Sequence, residues 1–172
     1  MDNELTLRDI AGFCPEEAIW KMLVDISSFL LKENCGYQIN ADTITVAGNQ
    51  FIVMGEKNQT SKEEMVWALG ATAFFAATGH SVFGGHGYDY QQKHPHVALP
   101  VLQKSFHALT PVIHQCLCFD TSKRISMESL KLAAEKGLSV CSKRQRVKAG
   151  PVKEPIGGNN YQEEKWPEEM KA

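Results

Sequence analysis

The chain has 172 residues, of which 43% are hydrophobic and 22% charged, an ordinary composition for one folded domain with a buried core. Its formal net charge of -2 gives no electrostatic reason to expect nucleic acid or a membrane surface as a partner. Asp2 and Glu4 stand where a secretory signal would be basic, and the longest apolar stretch is too short to cross a bilayer. We therefore expect a cytoplasmic protein that binds neither nucleic acid nor membrane.

The first half of the chain predicts an amphipathic helix followed by a β-hairpin. Pro15 and the two carboxylates after it suit a helix start. Apolar residues then recur at spacings of three and four from Ile19 to Leu30, which places them on one helix face. Residues 43–46 and 51–54 are β-branched or aromatic runs separated by a loop of hairpin length. Because a two-stranded hairpin is marginal alone, we expect it to lie on the helices.

The second half of the chain predicts mainly helices. Ser61 begins an S-x-x-E capping box, and the helix that it opens is apolar nearly all round until Gly79 ends it. We expect that helix to form the core. A loop rich in glycine, histidine and aromatic residues follows over residues 80–96. Two prolines then divide the next apolar segment into predicted helices at residues 100–108 and 111–117.

The C-terminal part predicts one more helix and then a tail. Ser126 caps a helix that we expect to stop at Gly137. From residue 141 onward the composition shifts to charged residues, glycine and proline, which predicts a flexible charged tail over 141–172 after a helical domain over 1–140. The five cysteines include no C-x-x-C pair and are expected to be buried or half-buried free thiols. The predicted fold class is mainly α with a small β-hairpin.

A motif on the predicted core helix resembles protein kinases. Residues 66–70 read V-W-A-L-G and look like the kinase D-x-W-[SA]-x-G motif on the central hydrophobic helix of the C-terminal lobe. A threonine and a glycine end the helix here, where kinases also end it. The matching residues are Val66, Trp67, Gly70, Thr78 and Gly79.

A second motif follows in the order that kinases have. Residues 116–126 read C-L-C-F-D-T-S-K-R-I-S and are similar to the kinase segment x-x-D-P-x-x-R-I-S, with Asp120 and Arg124 at its acidic and basic positions. The succession of helix, hairpin, apolar helix, glycine-containing loop and further helices also matches. Over about residues 5–137 the chain therefore resembles a protein-kinase C-terminal lobe with the N-lobe absent.

The residues that perform phosphoryl transfer are missing from this resemblance. The kinase H-R-D triplet falls on residues 36–38 (G-Y-Q), the metal-binding asparagine on Thr43, and the D-F-G segment on residues 53–56 (V-M-G-E). Only about ten residues separate the second strand of the hairpin from the core helix, so an activation segment does not fit. No glycine-rich loop or strand lysine stands before Pro15. The resemblance implies a non-catalytic module without a cofactor, similar to the kinase non-catalytic C-lobe domain and to pseudokinase C-lobes.

The missing catalytic residues favour binding of a protein or peptide partner over catalysis of a reaction. Without an N-lobe and an activation segment, apolar surface is uncovered, and local substitution, self-association or a partner must cover it. We expect binding in the groove left open, and a homo-oligomer is a second way to cover it. The candidate partner-binding residues are Phe83, Tyr88 and Tyr90 and, in the acidic tail, the isolated Trp166.

Two alternatives from other functional classes stay open. A divergent phosphotransferase or nucleotide-binding protein could use Glu56 and Asp42 in place of the lost acids. A metal-binding domain could use the histidines of the 80–96 loop, since imidazoles bind zinc and copper. The glycines of that loop argue against fixed ligands, so we expect no metal. The candidate ligands would be His80, His86, His94 and His96.

Overall fold

The computed structural model describes residues 4–85 and 87–149, and for residues 145–149 it describes the helical backbone. These residues form a mostly helical structure with small antiparallel sheets, which confirms the predicted fold class at that level. The helices are α1 (Leu7–Ile10), α2 (Glu16–Lys32), α3 (Lys62–Thr78), α4 (Gly87–Lys93), α5 (Leu109–Cys116) and α6 (Met127–Ala149). The strands are β1 (Leu5–Thr6), β2 (Gly36–Tyr37), β3 (Ile44–Ala47), β4 (Gln50–Val53) and β5 (Lys57–Asn58).

The strands pair in two small antiparallel sheets. One has the order β1-β3-β4, and in the other β2 pairs with β5. Strands β3 and β4 form the predicted hairpin, with Ile44 opposite Val53 and Ala47 opposite Gln50. Gly48 in the turn has a φ of 63°, the left-handed conformation that tight hairpin turns require. The sequence did not predict β1, β2 or β5, because strands of two residues are too short to show an alternating pattern.

Carboxylates accept hydrogen bonds from backbone N–H groups on both outer strands of the three-stranded sheet. The Thr6 N–H of β1 donates to Asp9 Oδ2 at 2.8 Å, and the Phe51 N–H of β4 donates to Asp25 Oδ2 at 3.0 Å. The Lys21 ammonium lies 2.7 Å from the same Asp25 carboxylate. Because an N–H that already donates cannot pair with an added strand, these two positions are closed to strand addition.

Helix α3 lies at the centre of the described core, as its apolar sequence predicts. Ser61 Oγ accepts the N–H of Glu64 at 3.1 Å, and the helix ends at Gly79 with a φ of 77°, so both predicted ends are confirmed. Helix α3 contacts α2 and α5, and the predicted apolar face of α2 is buried. The buried residues of α3 are Met65, Val66, Trp67, Leu69, Gly70, Thr72, Ala73, Phe74, Ala76 and Ala77.

The prediction that the last helix stops at Gly137 is wrong. Helix α6 continues to Ala149, so residues 141–149, the start of the predicted flexible tail, are helical. A Cβ at Gly137 would lie 2.4 Å from a ring atom of Trp20, so this glycine serves close packing against a buried indole and is not a helix stop. Residues 150–172, the rest of the predicted tail with Trp166, lie outside the described residues.

Two further segments differ from the prediction. The predicted loop over residues 80–96 contains helix α4, whose last six residues include neither glycine nor proline. The predicted helix over residues 100–108 is wrong, since the only helical part there is a 3₁₀ turn at Lys104–Phe106. Helix α5 begins at Leu109 and holds Pro111 in its first turn, where a backbone N–H would have no intrahelical partner.

The chain divides into two units, Met1–Leu138 and Ser139–Ala172. The first unit contains both sheets, helices α1 to α5 and the start of α6. Of the second unit the structure describes residues 139–149, which continue α6. None of the helices in the described ranges is long and apolar enough to cross a bilayer.

Candidate functional site

A cleft of about 220 Å³ opens beside α3 and is called here the α3 cleft. Helix α3 contributes a line of residues that includes the small Ala68 and Ala71, which leave space above the helix. Residues 39–41 form a second side, and the third side is formed by Ser81, Val82, Gly85 and Gly87. The walls are mostly apolar, as is usual where proteins bind organic groups or side chains. The larger lining side chains are Arg8, Ile39, Trp67, Phe75 and Val82.

The third side of the cleft is held in an unusual backbone conformation. Phe83 has φ 54° and ψ 36°, a left-handed region that residues with a Cβ rarely adopt. Its neighbours Gly84, Gly85 and Gly87 also have positive φ, at little cost because glycine has no Cβ. For Phe83 the left-handed conformation costs about 1–2 kcal/mol, which contacts of its ring must offset.

Four aromatic rings pack together beside this turn. The centroid of Trp67 lies 6.4 Å from Phe83 and 5.3 Å from Tyr88, and Phe83 lies 5.9 Å from Tyr90, which are favourable ring separations. The structure thus brings the predicted Phe83, Tyr88 and Tyr90 together against Trp67, and leaves each of the three half-buried. Part of each of these residues stays exposed, while Trp166 lies outside the described residues.

Gln91 on α4 was missed by the sequence analysis and holds this cluster in place. Its side chain is 1% exposed. Gln91 Oε1 accepts the indole N–H of Trp67 at 2.8 Å, and Gln91 Nε2 donates to the Leu117 carbonyl at 2.6 Å. The amide therefore fixes a cleft-lining indole and ties α4 to α3 and to the residue after α5. A glutamine three positions after Tyr88 in a glycine-flanked segment gave only a weak signal.

We expect Gln91→Leu to lower the free energy of unfolding by about 2 kcal/mol, because a buried indole N–H and a carbonyl lose their partners. Urea unfolding followed by circular dichroism measures the change. Gln92→Leu is the matched control, since Gln92 is exposed on the same helix and its replacement should change stability by less than about 0.5 kcal/mol. Equal effects of the two substitutions would contradict the bridging role of Gln91.

Arg8 lies at the rim of the cleft in a fixed position. Its Nε and Nη2 donate to the two carboxylate oxygens of Asp42 at 2.6 and 3.0 Å, and its guanidinium lies 5.1 Å from the centroid of Phe75. These hydrogen bonds lower the pKa of the Asp42 carboxyl and raise the pKa of the Arg8 guanidinium. Both side chains are more than half exposed, so the pair shapes the rim more than it stabilises the fold.

Some of the positions considered for phosphoryl transfer lie close together in the structure, and two of their side chains are already hydrogen-bonded to other residues. A Cβ at Gly55 would lie 2.7 Å from the Gln38 carbonyl and 3.3 Å from the Thr43 Cβ, so the three residues are neighbours. The Thr43 hydroxyl accepts the N–H of Asn40 and donates to its carbonyl at 2.9 and 3.1 Å. Asp42 is paired with Arg8. The Thr43 side chain thus serves the local turn, and the Asp42 side chain binds a distant arginine.

No metal centre is found in the part of the chain that the structure describes. No three His, Cys, Asp or Glu side chains in residues 4–85 and 87–149 could hold a metal ion together, and His86 is not among these residues. The ring of His94 packs 4.4 Å from that of Tyr90. The five cysteines are free, and each is buried or half-buried, as predicted. Burial raises the pKa of the Cys116 thiol to about 12, which leaves it protonated and unreactive.

The second motif forms a turn between α5 and α6. The Asp120 carboxylate accepts the N–H and the hydroxyl of Ser122 at 2.9 and 2.7 Å, which lowers the pKa of this carboxyl. Arg124 is 7% exposed and donates to three backbone carbonyls, while its guanidinium lies 5.6 Å from the ring centroid of Tyr88. The carbonyls belong to Glu63, Cys118 and Phe119.

No protein-family model matches the sequence, and no curated protein matches it. The residues and geometry of the described fold are therefore the basis for a function. They present an apolar cleft, an adjoining half-buried aromatic cluster and one fixed cationic side chain at the rim.

Proposed function

We propose that the chain is a non-catalytic module, built like a protein-kinase C-terminal lobe, that binds a protein or peptide partner in the α3 cleft. The observation that carries this proposal is the cleft itself, with mostly apolar walls beside three half-buried aromatic side chains. Apolar concave surface with exposed aromatic rings is the usual composition of a protein-binding site. The kinase-like scaffold is supported by the V-W-A-L-G motif on the buried central helix and by the order of the elements.

Binding is favoured over phosphoryl transfer because the polar side chains that transfer would need are already engaged in other contacts. Transfer would need a carboxylate that orients the nucleophile and oxygen ligands for magnesium. Asp42 is held by Arg8, and the Thr43 hydroxyl is engaged with Asn40. Binding in the cleft is also favoured over strand addition, because the N–H groups of Thr6 and Phe51 donate to carboxylates.

Selection from a phage-displayed random peptide library tests this proposal. We expect the wild-type chain to enrich peptides that carry large apolar residues. Ala71→Phe, which fills the α3 cleft, should weaken binding of the selected peptides at least about tenfold, or about 1.4 kcal/mol. Ala133→Phe is the matched control, since Ala133 is a half-exposed alanine on α6. Failure to enrich any peptide, or equal affinities of the two variants, would contradict the proposal.

The nucleotide-binding alternative makes a separate prediction. A ligand at one hundred times its dissociation constant stabilises a protein by about 2.7 kcal/mol, which raises the melting temperature by several degrees. We expect no change in the melting temperature of this chain with millimolar ATP or ADP and magnesium. A reproducible increase that disappears in Asp42→Asn or Glu56→Gln would favour the divergent phosphotransferase instead.

A further inference from the structure

The last turns of α6 carry positive charge without an acidic residue beside it in the sequence. From residue 136 to residue 153 the chain contains no aspartate or glutamate. Lys143 and Arg144 are exposed on this part of the helix, and no carboxylate of the described residues forms an ion pair with Lys143. Residues 140–149 are called here the basic end of α6. Its cations are Lys143, Arg144, Arg146 and Lys148.

An apolar side chain is exposed one turn before these cations. Val140 is 47% exposed, although the next residue, Cys141, is buried. Val140 precedes Lys143 and Arg144 by three and four positions, and residues at those spacings are neighbours on the surface of a helix. The solvent side of the basic end therefore presents one apolar contact and two cations about 5–6 Å further along the helix axis.

A later segment of the same chain has the complementary groups in a matching order. Residues 161–169 read Y-Q-E-E-K-W-P-E-E, with four glutamates, one lysine and an aromatic residue between two acidic pairs. Glu163 and Glu164 precede Trp166 by three and two positions, which is about 7–10 Å in an extended chain. Long lysine and arginine side chains can bridge the difference between that spacing and the spacing of the groups on α6.

The length of chain between the two parts is sufficient for them to meet. Eleven residues, 150–160, connect the end of α6 to this segment. The chain must return from residue 149 to residue 140, and nine residues of helix rise about 14 Å, whereas eleven residues can span up to about 36–40 Å. A segment tethered by a short linker has an effective concentration in the millimolar range. It therefore has an advantage over an anionic partner in solution, even though exposed charge pairs are individually weak.

We infer that residues 161–169 dock on the basic end of α6, with Trp166 against Val140 and the Glu163–Glu164 pair on Lys143 and Arg144. Both parts belong to the second unit of the chain, Ser139–Ala172, and the inference is independent of the function proposed for the α3 cleft. The indole supplies apolar and cation–π contact, and the glutamates select the cations through charge-assisted hydrogen bonds. The docked segment covers the basic end against other anionic partners, and it is released when salt screens the charges.

Nuclear magnetic resonance of the full chain labelled with nitrogen-15 tests this inference. The reporters are the Trp166 indole N–H and the backbone amides of residues 140–149. In Glu163→Gln/Glu164→Gln the docked population should fall about threefold to tenfold, so the reporter resonances move toward their positions in about 500 mM salt. Glu56→Gln/Glu63→Gln is the matched control, since it removes two exposed carboxylates elsewhere and should leave the reporters unchanged.

A charge exchange separates direct contact from a change in the helix. Lys143→Glu/Arg144→Glu should also release the segment, and adding Glu163→Lys/Glu164→Lys should restore docking. Circular dichroism checks helix content, and if the exchanged variants lose helix, the glutamine variant alone decides. The inference is overturned if the glutamine variant leaves the reporters unchanged, if the exchange fails to restore docking in a folded chain, or if the shifts depend on protein concentration, which would place the contact between two copies. Equal binding of RNA or phosphatidylserine vesicles by the wild-type chain and the glutamine variant would also overturn it, because the basic end would then be uncovered.

Discussion

Gly70→Val is expected to lower the free energy of unfolding by about 3 kcal/mol, because α3 and α5 touch at this glycine. A Cβ at residue 70 would lie 2.4 Å from the Cβ of Cys116 and 3.5 Å from the Ile113 carbonyl. Cys116 is 1% exposed and Ile113 equally buried, so neither can move aside without disturbing the core. Urea unfolding at fixed temperature measures the loss.

Two further variants identify the cause of that loss. Ala71→Val changes the next residue of α3, which is half-exposed, and should cost only the lower helix propensity of a β-branched side chain, below about 1 kcal/mol. Cys116→Ala removes the sulfur but keeps the Cβ, so it should not rescue Gly70→Val. A rescue would mean that the sulfur is the obstacle, and comparable losses for residues 70 and 71 would contradict a close helix contact.

Central helix α3 and the hairpin could be predicted because their signals are local. Ser61 caps the N–H of Glu64 within one turn, and Gly79 ends the helix through its own φ. The β3–β4 hairpin likewise depends on two short apolar runs and on Gly48 in the turn between them. Neighbouring residues decide such features, so a single sequence is enough to find them.

Helix α4 was not predicted, and α6 was predicted only as far as Gly137, because distant contacts decide both helices. A glycine usually ends a helix, but Gly137 faces the ring of Trp20, more than one hundred residues earlier. Helix α4 is held through Gln91, which bonds to α3 and to the Leu117 carbonyl. No local pattern at residues 87–93 reports those two partners.

The candidate site also combines features set by neighbouring residues, which could be predicted, with features set by distant contacts, which could not. The aromatic residues Phe83, Tyr88 and Tyr90 were predicted as a set because they stand close together in the sequence. The cleft could not be predicted, because its sides come from residues 39–41, from α3 and from the turn after it. The place of Arg8 at the rim is set by a hydrogen bond to Asp42, thirty-four residues away, which no spacing rule indicates.

Arg124→Met is expected to cause the largest loss of stability, about 3–5 kcal/mol. Arg124 is a buried cation whose Nε, Nη1 and Nη2 donate to three carbonyls from two parts of the chain, at 2.8, 3.0 and 3.3 Å. Replacing it leaves three carbonyls without their donors in a partly buried site. One carbonyl belongs to Glu63 in the first turn of α3, so the turn before α6 and the start of α3 should loosen together. Thermal and urea unfolding measure the loss.

The geometry of the Arg124 contacts predicts how its charge-conserving variant behaves. A lysine ammonium is a compact point charge and cannot reach three carbonyls that a planar guanidinium reaches in different directions, so Arg124→Lys should still cost about 2 kcal/mol. Lys123→Met removes a neighbouring exposed charge and should change stability by less than about 0.5 kcal/mol. Wild-type stability in Arg124→Lys would mean that positive charge alone matters at this turn. A loss close to that of Arg124→Met would assign the role to the guanidinium fork that joins the start of α3 to the turn before α6.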